Sequence, residues 1–345
     1  LEKDNRIKKI LITSNTLSSS KILNKISFKK VVHQFFPIDT NFHSKKFLNY
    51  WNPSSVFFID SEIWPNMLLN LKKRKIPITL LNGRITKKSF SRWKIFSSFS
   101  KKVFENLDLC LCSDKTSKKY LKQLGAKKIK FIGNLKFSQS ENEIIKINQN
   151  TKKFLASKKI WCASSTHNTE EKFCSIAHKE LKKKYNNLLT IIIPRHIDRV
   201  PLIINDLEEL KLKIHIFSSK KKIESNTDIL IVDAYGKTKT FYKFCKNVFL
   251  GGSLINHGGQ NPLEATRFGC NVLHGPNIGN FTEIYNFLKR NKMAQKIRNQ
   301  NEMIYNLNKL FLKKSNSKKI QKKLNFIGKK ILKETYEEIS KKIYK

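Results

Sequence analysis

Long apolar runs are absent from this sequence. No stretch approaches the roughly 18 uncharged residues that a membrane-crossing helix needs, so nothing in the 345 residues reads as a span. Carboxylates are scarce, 26 Asp and Glu against 69 Lys and Arg, for a formal net charge of +43. Arginine is scarce too: nine of those cations carry a guanidinium and the rest are Lys. Specific readers of nucleic acid use Arg for bidentate base contacts, or aromatics set in known modules; no zinc finger, RNP-like motif or basic leucine zipper occurs here. Lysine spread along the whole chain makes a non-specific field that attracts polyanions, whether nucleic acid or an anionic, phosphorylated lipid surface. An AT-rich coding sequence, which also enriches Asn and Ile, accounts for part of the excess. Cysteine is limited to six residues, with no CxxC and no His at zinc spacing, which reads as reduced, buried thiols of a cytosolic compartment. Cys110 and Cys112, two apart on an apparent strand, point to one face.

What is present is a globular pattern, 39% hydrophobic, in which short β-rich runs alternate with longer amphipathic ones. Strands are expected at 7–12, 56–59, 78–81, 107–111 and 129–132, then at 160–163, 188–193, 213–217, 229–232, 248–250 and 272–273. Helices are expected at 45–50, 87–104, 116–124, 169–184, 201–210, 262–268 and 281–289. Strands followed by helices of this length indicate βαβ units and parallel sheets, and continuous runs such as Leu188–Ile193 suit strands covered on both faces. The polar segment 138–155 breaks the rhythm and is taken as a linker. It separates a domain over 1–137 from one over 156–315, and residues 316–345 form a Lys-rich terminal helix. Because the chain opens at Leu1 directly into a strand pattern, the gene product is expected to begin further upstream.

In open parallel sheets ligands bind beyond the carboxyl ends of the strands, so the polar strand exits are the candidate sites. The run Val248 to Ala265 passes from a strand through Gly251, Gly252, Gly258 and Gly259 to Asn261, a helix cap, with Pro262 and Leu263 opening the helix. Glycines allow close backbone approach, and free N–H groups at a helix start suit a nucleotide phosphate. Glu264 is either the capping partner of Asn261 or a carboxylate for both hydroxyls of a ribose. Pro194-Arg195-His196 ends a strand; Arg195 is either a surface residue or a bidentate phosphate ligand, and His196 is expected to position the loop rather than perform acid–base work. Asp60-Ser61-Glu62-Ile63-Trp64-Pro65-Asn66 is another exit, where Glu62 either favours a helix N-terminus, stabilises cationic charge or orients a hydroxyl. In Gly133-Asn134-Leu135-Lys136 the Lys136 ammonium can neutralise a leaving phosphate without a metal.

Taken together these strings resemble the 3-deoxy-D-manno-octulosonic acid (Kdo) transferase family. The matching segments are Thr16–Ser19, Ser61–Asn66, Gly133–Lys136, Ala163–His167 with Glu170 and Glu171, Pro194–His196, Gly251–Leu254, Asn261–Glu264, and Gly275-Pro276 with Asn280, Phe281 and Glu283. They run in the family's order over roughly residues 7 to 290. The resemblance implies a GT-B fold, two Rossmann-like domains with parallel sheets facing a cleft, a CMP-Kdo donor and a lipid IVA-type lipid A precursor as acceptor, in lipopolysaccharide synthesis. It implies that Pro194, Arg195 and Asn261, Pro262, Leu263 and Glu264 bind CMP, and that Glu62 and Lys136 stabilise the transition state. The family's Met-Gly-Glu donor loop falls at Tyr235-Gly236-Lys237, where Lys replaces Glu, leaving only a backbone contact. The family's catalytic base, a Glu in an early glycine-rich loop, has no match; it and a membrane anchor are expected upstream, on the cytoplasmic face of the inner membrane.

The reaction implied is an inverting displacement with CMP leaving, no metal and no cofactor, and no nucleic-acid partner. Two rivals stand: a basic nucleic-acid-binding protein, which leaves the glycine loop and the Pro194–His196 corner without purpose, and a GT-B transferase using a UDP sugar.

Overall fold

The computed structural model describes residues 1–24, 26–138, 147–218, 222–313 and 317–343. The chain divides into two compact units, Leu1–Leu135 with Ile331–Lys345, and Lys136–Lys330.

The first unit carries a parallel pair, β1 (Ile10–Ser14) with β2 (Val31–Phe35), and a four-stranded parallel sheet in the order β3 (Val56–Ile59), β4 (Ile78–Gly83), β5 (Leu109–Cys112), β6 (Ile129–Phe131). Alternation along β3 to β5 sends Phe58, Ile78, Leu80, Cys110 and Cys112 into one apolar cluster, and Phe57, Leu81, Leu109 and Leu111 into another with Ile339, the period-two rule of a strand. Both thiols of the Cys110/Cys112 pair are thus buried on one face, and burial pushes the Cys112 pKa up to about 12. β2 is absent from the sequence expectations: Val31 and Val32 give way to His33 and Gln34, too short an apolar run to mark. The helix expected over 87–104 is two, Lys87–Ile95 and Ser97–Phe104, broken at Phe96, whose φ and ψ leave the helical region.

The second unit is a seven-stranded sheet in the order β13-β12-β11-β7-β8-β10-β9, parallel throughout. Its members are β7 (Lys159–Thr166), β8 (Leu188–Pro194), β9 (Ile214–Ile216), β10 (Ile229–Ile231), β11 (Asn247–Leu250), β12 (Asn271–His274) and β13 (Ala294–Lys296). β8 reads Leu-Leu-Thr-Ile-Ile-Ile-Pro and is buried at every position. Ile191 and Ile193 enter the cluster with Val248, Leu263 and Leu288, whereas Ile192 enters the one with Phe249, Ala177 and Leu307. The sheet is therefore covered on both faces, as the continuous apolar run demands.

The segment expected as a linker, 138–155, is partly helical. Gln149–Ala156 is a helix whose cap, Asn148, accepts from Thr151 N at 2.7 Å, and Ile147 and Leu155 enter the core of the second unit. The polar residues taken for a linker are the cap and outer face of that helix; 139–146 lie outside the described residues. The terminal helix is Ser317–Ile343, its residues up to Lys330 in the second unit and those from Ile331 in the first. Among the described residues no helix is long and apolar enough to cross a membrane.

Candidate active site

In the second unit the chain builds outward from β7 through β8 to β10 and β9, then returns to the other flank of β7 as β11, β12 and β13. The order reverses at β7/β11, and the crevice beyond the carboxyl ends there is where doubly wound sheets bind ligands. The exits of β7, β8, β10 and β11 carry His167, Arg195, Asp233 to Lys237, and the Gly251–Glu264 run.

The glycine run does not do what its composition suggests. Glu170, fully buried at the start of the helix Glu170–Lys182, accepts from Gly252 N at 2.7 Å, Ser253 N at 3.1 Å, Leu254 N at 3.0 Å and His167 N at 3.0 Å. Burial pushes this carboxyl's pKa up and the four amides draw it back. The amides expected to cradle a phosphate are taken by the protein's own carboxylate. Glycine at 251 answers to the same packing, since a Cβ there would stand 2.4 Å from Ser165 O and 2.7 Å from Glu170 Oε2. The expectation of a phosphate on the first half of this loop is corrected accordingly.

The second half keeps its expected form in part. Asn261 Oδ1 accepts from Leu263 N at 3.1 Å, so Asn261 caps the helix Leu263–Arg267, only five residues long. Glu264 makes an ion pair with Lys239 at 3.4 Å. Lys239 belongs to the short helix that follows Tyr235-Gly236-Lys237, so this pair draws the two expected nucleotide segments together. Tyr235 is exposed and, with Asp233, Ile197, Pro201 and Ile216, lines an open groove of about 580 Å³ between the β8 and β10 exits. Pro194 is buried as the last residue of β8, and Arg195 is exposed with its main-chain N–H bound to Thr166 O at 3.0 Å. Lys136 lies in the same unit: its carbonyl and that of Phe137 accept from Arg267, at 2.9 and 2.8 Å, and its ammonium stands 5.1 Å from the Phe281 ring centre. Arg267 ends the helix that carries Glu264, so Lys136 is tied to that corner. Arg267, Lys239 and Glu170 make contacts at these strand exits that the sequence does not announce; for Glu170 the signal was an acid opening a helix after a strand ending in Ser and Thr.

In the first unit Glu62 is exposed and accepts from Trp64 Nε1 at 2.8 Å and Asn15 Nδ2 at 3.3 Å. The β1 and β3 exits therefore meet at this carboxylate. The helix Pro65–Lys73 needs no help from Glu62, because Asp39 accepts from Asn66 N at 3.1 Å and Met67 N at 2.8 Å. Among the described residues no group of three His, Cys, Asp or Glu side chains is placed to hold a metal.

Two parallel α/β units of this kind define the GT-B class. Over nearly the whole chain the fold matches a UDP-N-acetylglucosamine 2-epimerase (TM-score 0.61, 12% identity, covering 98% of this chain and 88% of that one) and the Anabaena protein HepE solved with UDP and glucose (TM-score 0.57, 12% identity, 95% and 91%). Residues 1–139 match the family model described as 3-deoxy-D-manno-octulosonic-acid transferase. Among curated proteins, the 3-deoxy-D-manno-octulosonic acid transferases of Rickettsia bellii (30% identity, 91% of this chain, 74% of the relative) and Haemophilus influenzae (30% identity, 81% and 66%) align with it. The chain belongs to the Kdo transferase family. It spans about two thirds of the length of the Haemophilus influenzae and Rickettsia felis relatives, 66% and 64%.

Proposed function

We propose that this chain carries the donor side of a Kdo glycosyltransferase, binding CMP-Kdo at the carboxyl edge of the second unit's sheet, and that the whole protein transfers Kdo to a lipid A precursor. The observation that supports this most is the convergence of the Glu264 corner with the Tyr235–Lys237 loop through the Lys239 ion pair, beside the strand exit that bears Arg195. In this reading Glu264 exchanges Lys239 for the ribose hydroxyls. Arg195 takes the phosphate, with Pro194 shaping the turn; Asn261, Pro262 and Leu263 hold the corner; and Tyr235, Gly236 and Lys237 contact the nucleoside. A monophosphate leaves readily once a guanidinium and the Lys136 ammonium neutralise it, so no metal is needed; the acceptor hydroxyl oxygen bonds to the anomeric carbon from the face opposite the departing CMP, and this single displacement inverts its configuration. Glu62 stabilises the cationic character of the sugar in the transition state. The base that takes the acceptor's proton is assigned to no residue of this chain. The cationic surface holds the protein at the anionic cytoplasmic face of the inner membrane, each Lys near the surface contributing about 1 kcal/mol.

Thermal protection of the intact chain by CMP, UDP and a short oligonucleotide tests the assignment. CMP at about a hundred times its dissociation constant raises stability by about 2.7 kcal/mol, UDP and the oligonucleotide leave it unchanged, and Arg195→Ala and Glu264→Gln remove the CMP effect. Protection by UDP alone would point to a UDP-sugar enzyme, and protection by the oligonucleotide alone to a nucleic-acid-binding protein.

A further inference from the structure

Three imidazoles meet at the strand-order reversal, each from a different strand exit. His167 follows β7, His196 follows β8 and His257 sits in the loop after β11. The His167 ring centre is 4.3 Å from that of His257 and 6.0 Å from that of His196. Gly252 lies directly beneath: a Cβ there would stand 3.2 Å from His257 Cδ2 and 3.3 Å from His167 Nε2. The His167 Nε2 is shielded from solvent and without a hydrogen-bond partner. His196, His257 and Arg195 are exposed, and among the described residues none of their side chains pairs with a carboxylate.

The charge around this cluster is one-sided. Glu170 is taken up by four amides. Glu171 is bound by Arg199 through two contacts of 2.9 and 3.4 Å. Burial, then His257, His196, Arg199 and Arg195, push the His167 pKa down to about 4. With His167 held neutral, the Arg195 guanidinium beside three imidazoles offers an arriving oxyanion charge-assisted and imidazole N–H hydrogen bonds that no carboxylate among the described residues takes up.

Resting on the donor reading above, we propose that His167, His196 and His257 form a subsite for the carboxylate of the donor's acidic sugar, next to the Arg195 that takes the nucleotide phosphate. The subsite makes the site selective for an acid sugar over a neutral one. A neutral sugar offers the desolvated His167 nitrogen only hydroxyls, and a donor lacking the carboxylate forgoes the charge-assisted contacts.

Calorimetric titration of the intact chain with CMP and with freshly prepared CMP-Kdo tests this. Wild type binds CMP-Kdo about tenfold more tightly than CMP. His167→Asn and His257→Asn each erase most of that margin and leave CMP affinity where it was. Because His167 is half-buried, the double variant of the two exposed histidines, His196→Asn with His257→Asn, decides the matter if His167→Asn does not fold. Variants that weaken CMP as much as CMP-Kdo would overturn the proposal, placing the imidazoles on the phosphate; so would variants that change neither. Wild type that binds CMP and gains nothing from the sugar overturns this inference alone. Wild type that binds neither ligand removes the donor reading, and this inference falls with it.

Discussion

At Glu170 one carboxylate, accepting from four main-chain amides, fastens the β7 exit to the β11 exit and so sets the floor under His167 and His257. Its replacement by Gln turns one acceptor into a donor facing N–H groups, and buried unsatisfied donors cost about 1–3 kcal/mol each. Glu170→Gln is therefore expected to lower stability by about 2–3 kcal/mol, measurable by urea denaturation; an unchanged midpoint would mean the amides find other partners. Glu264 is different in kind. It is partly exposed and held by one ion pair, so Glu264→Gln leaves the denaturation midpoint nearly unchanged while CMP affinity falls. The residue types at the β8 exit and the Asn261 cap were legible because they rest on local rules, a polar side chain at a strand end and an Asx cap. The role of Glu170 was not, since a carboxylate 82 residues from Gly252 closes the loop only once β7 and β11 are neighbours.

Among the elements, the helix Glu170–Lys182 is pinned at both ends by charge. At its carboxyl end Lys182 binds Asp228, which also accepts from Lys213 N at 2.9 Å, and His178 lies 3.6 Å from the same carboxylate. The His178 pKa is lowered, by burial, and the Asp228 pKa is lowered because the nearby His178 ring and its hydrogen bonds from Lys182 and the Lys213 amide outweigh the effect of burial. Both shifts act in one direction. A group whose folded pKa is depressed binds fewer protons folded than unfolded, so its contribution is complete above the unfolded value and is lost as pH falls. Stability should decline first below about 6.5 as His178 must charge, and further below about 4 as Asp228 protonates. Asp228→Asn should reduce the second decline, leaving the part carried by Glu338, whose pKa Lys130 and Lys341 lower, and should lower stability at neutral pH. A denaturation midpoint independent of pH between 7 and 3 would contradict this. Strands filled with Ile, Leu and Val were visible in the sequence because burial on both faces leaves few polar positions in them. β2 and β13 were not, since Gln34, Gln295 and Lys296 interrupt edge strands that face partly outward. The helix Gln149–Ala156 was hidden by its own polar outer face.

For the whole molecule, a net charge of +43 makes association with anionic surfaces a matter of ionic strength. Binding to vesicles containing anionic lipid should weaken steeply between low and physiological salt, where the Debye length shrinks to about 8 Å, and be absent on neutral vesicles; salt-insensitive binding would show that apolar insertion, rather than the lysine field, holds the chain there. The two-unit α/β architecture was legible from the alternation of runs, because parallel strands need helical crossovers and that rhythm survives in any order of strands. Where the order reverses was not legible, and with it the gathering of His167, His196 and His257 from exits some 29 and 90 residues from the first.

A structure of the chain with CMP bound tests the central claim most directly. The phosphate is expected on Arg195 and both ribose hydroxyls on Glu264, with Lys239 displaced and the base beside Tyr235. CMP seated on Gly252–Leu254 with Glu170 expelled, or away from the β7/β11 reversal altogether, would contradict the account.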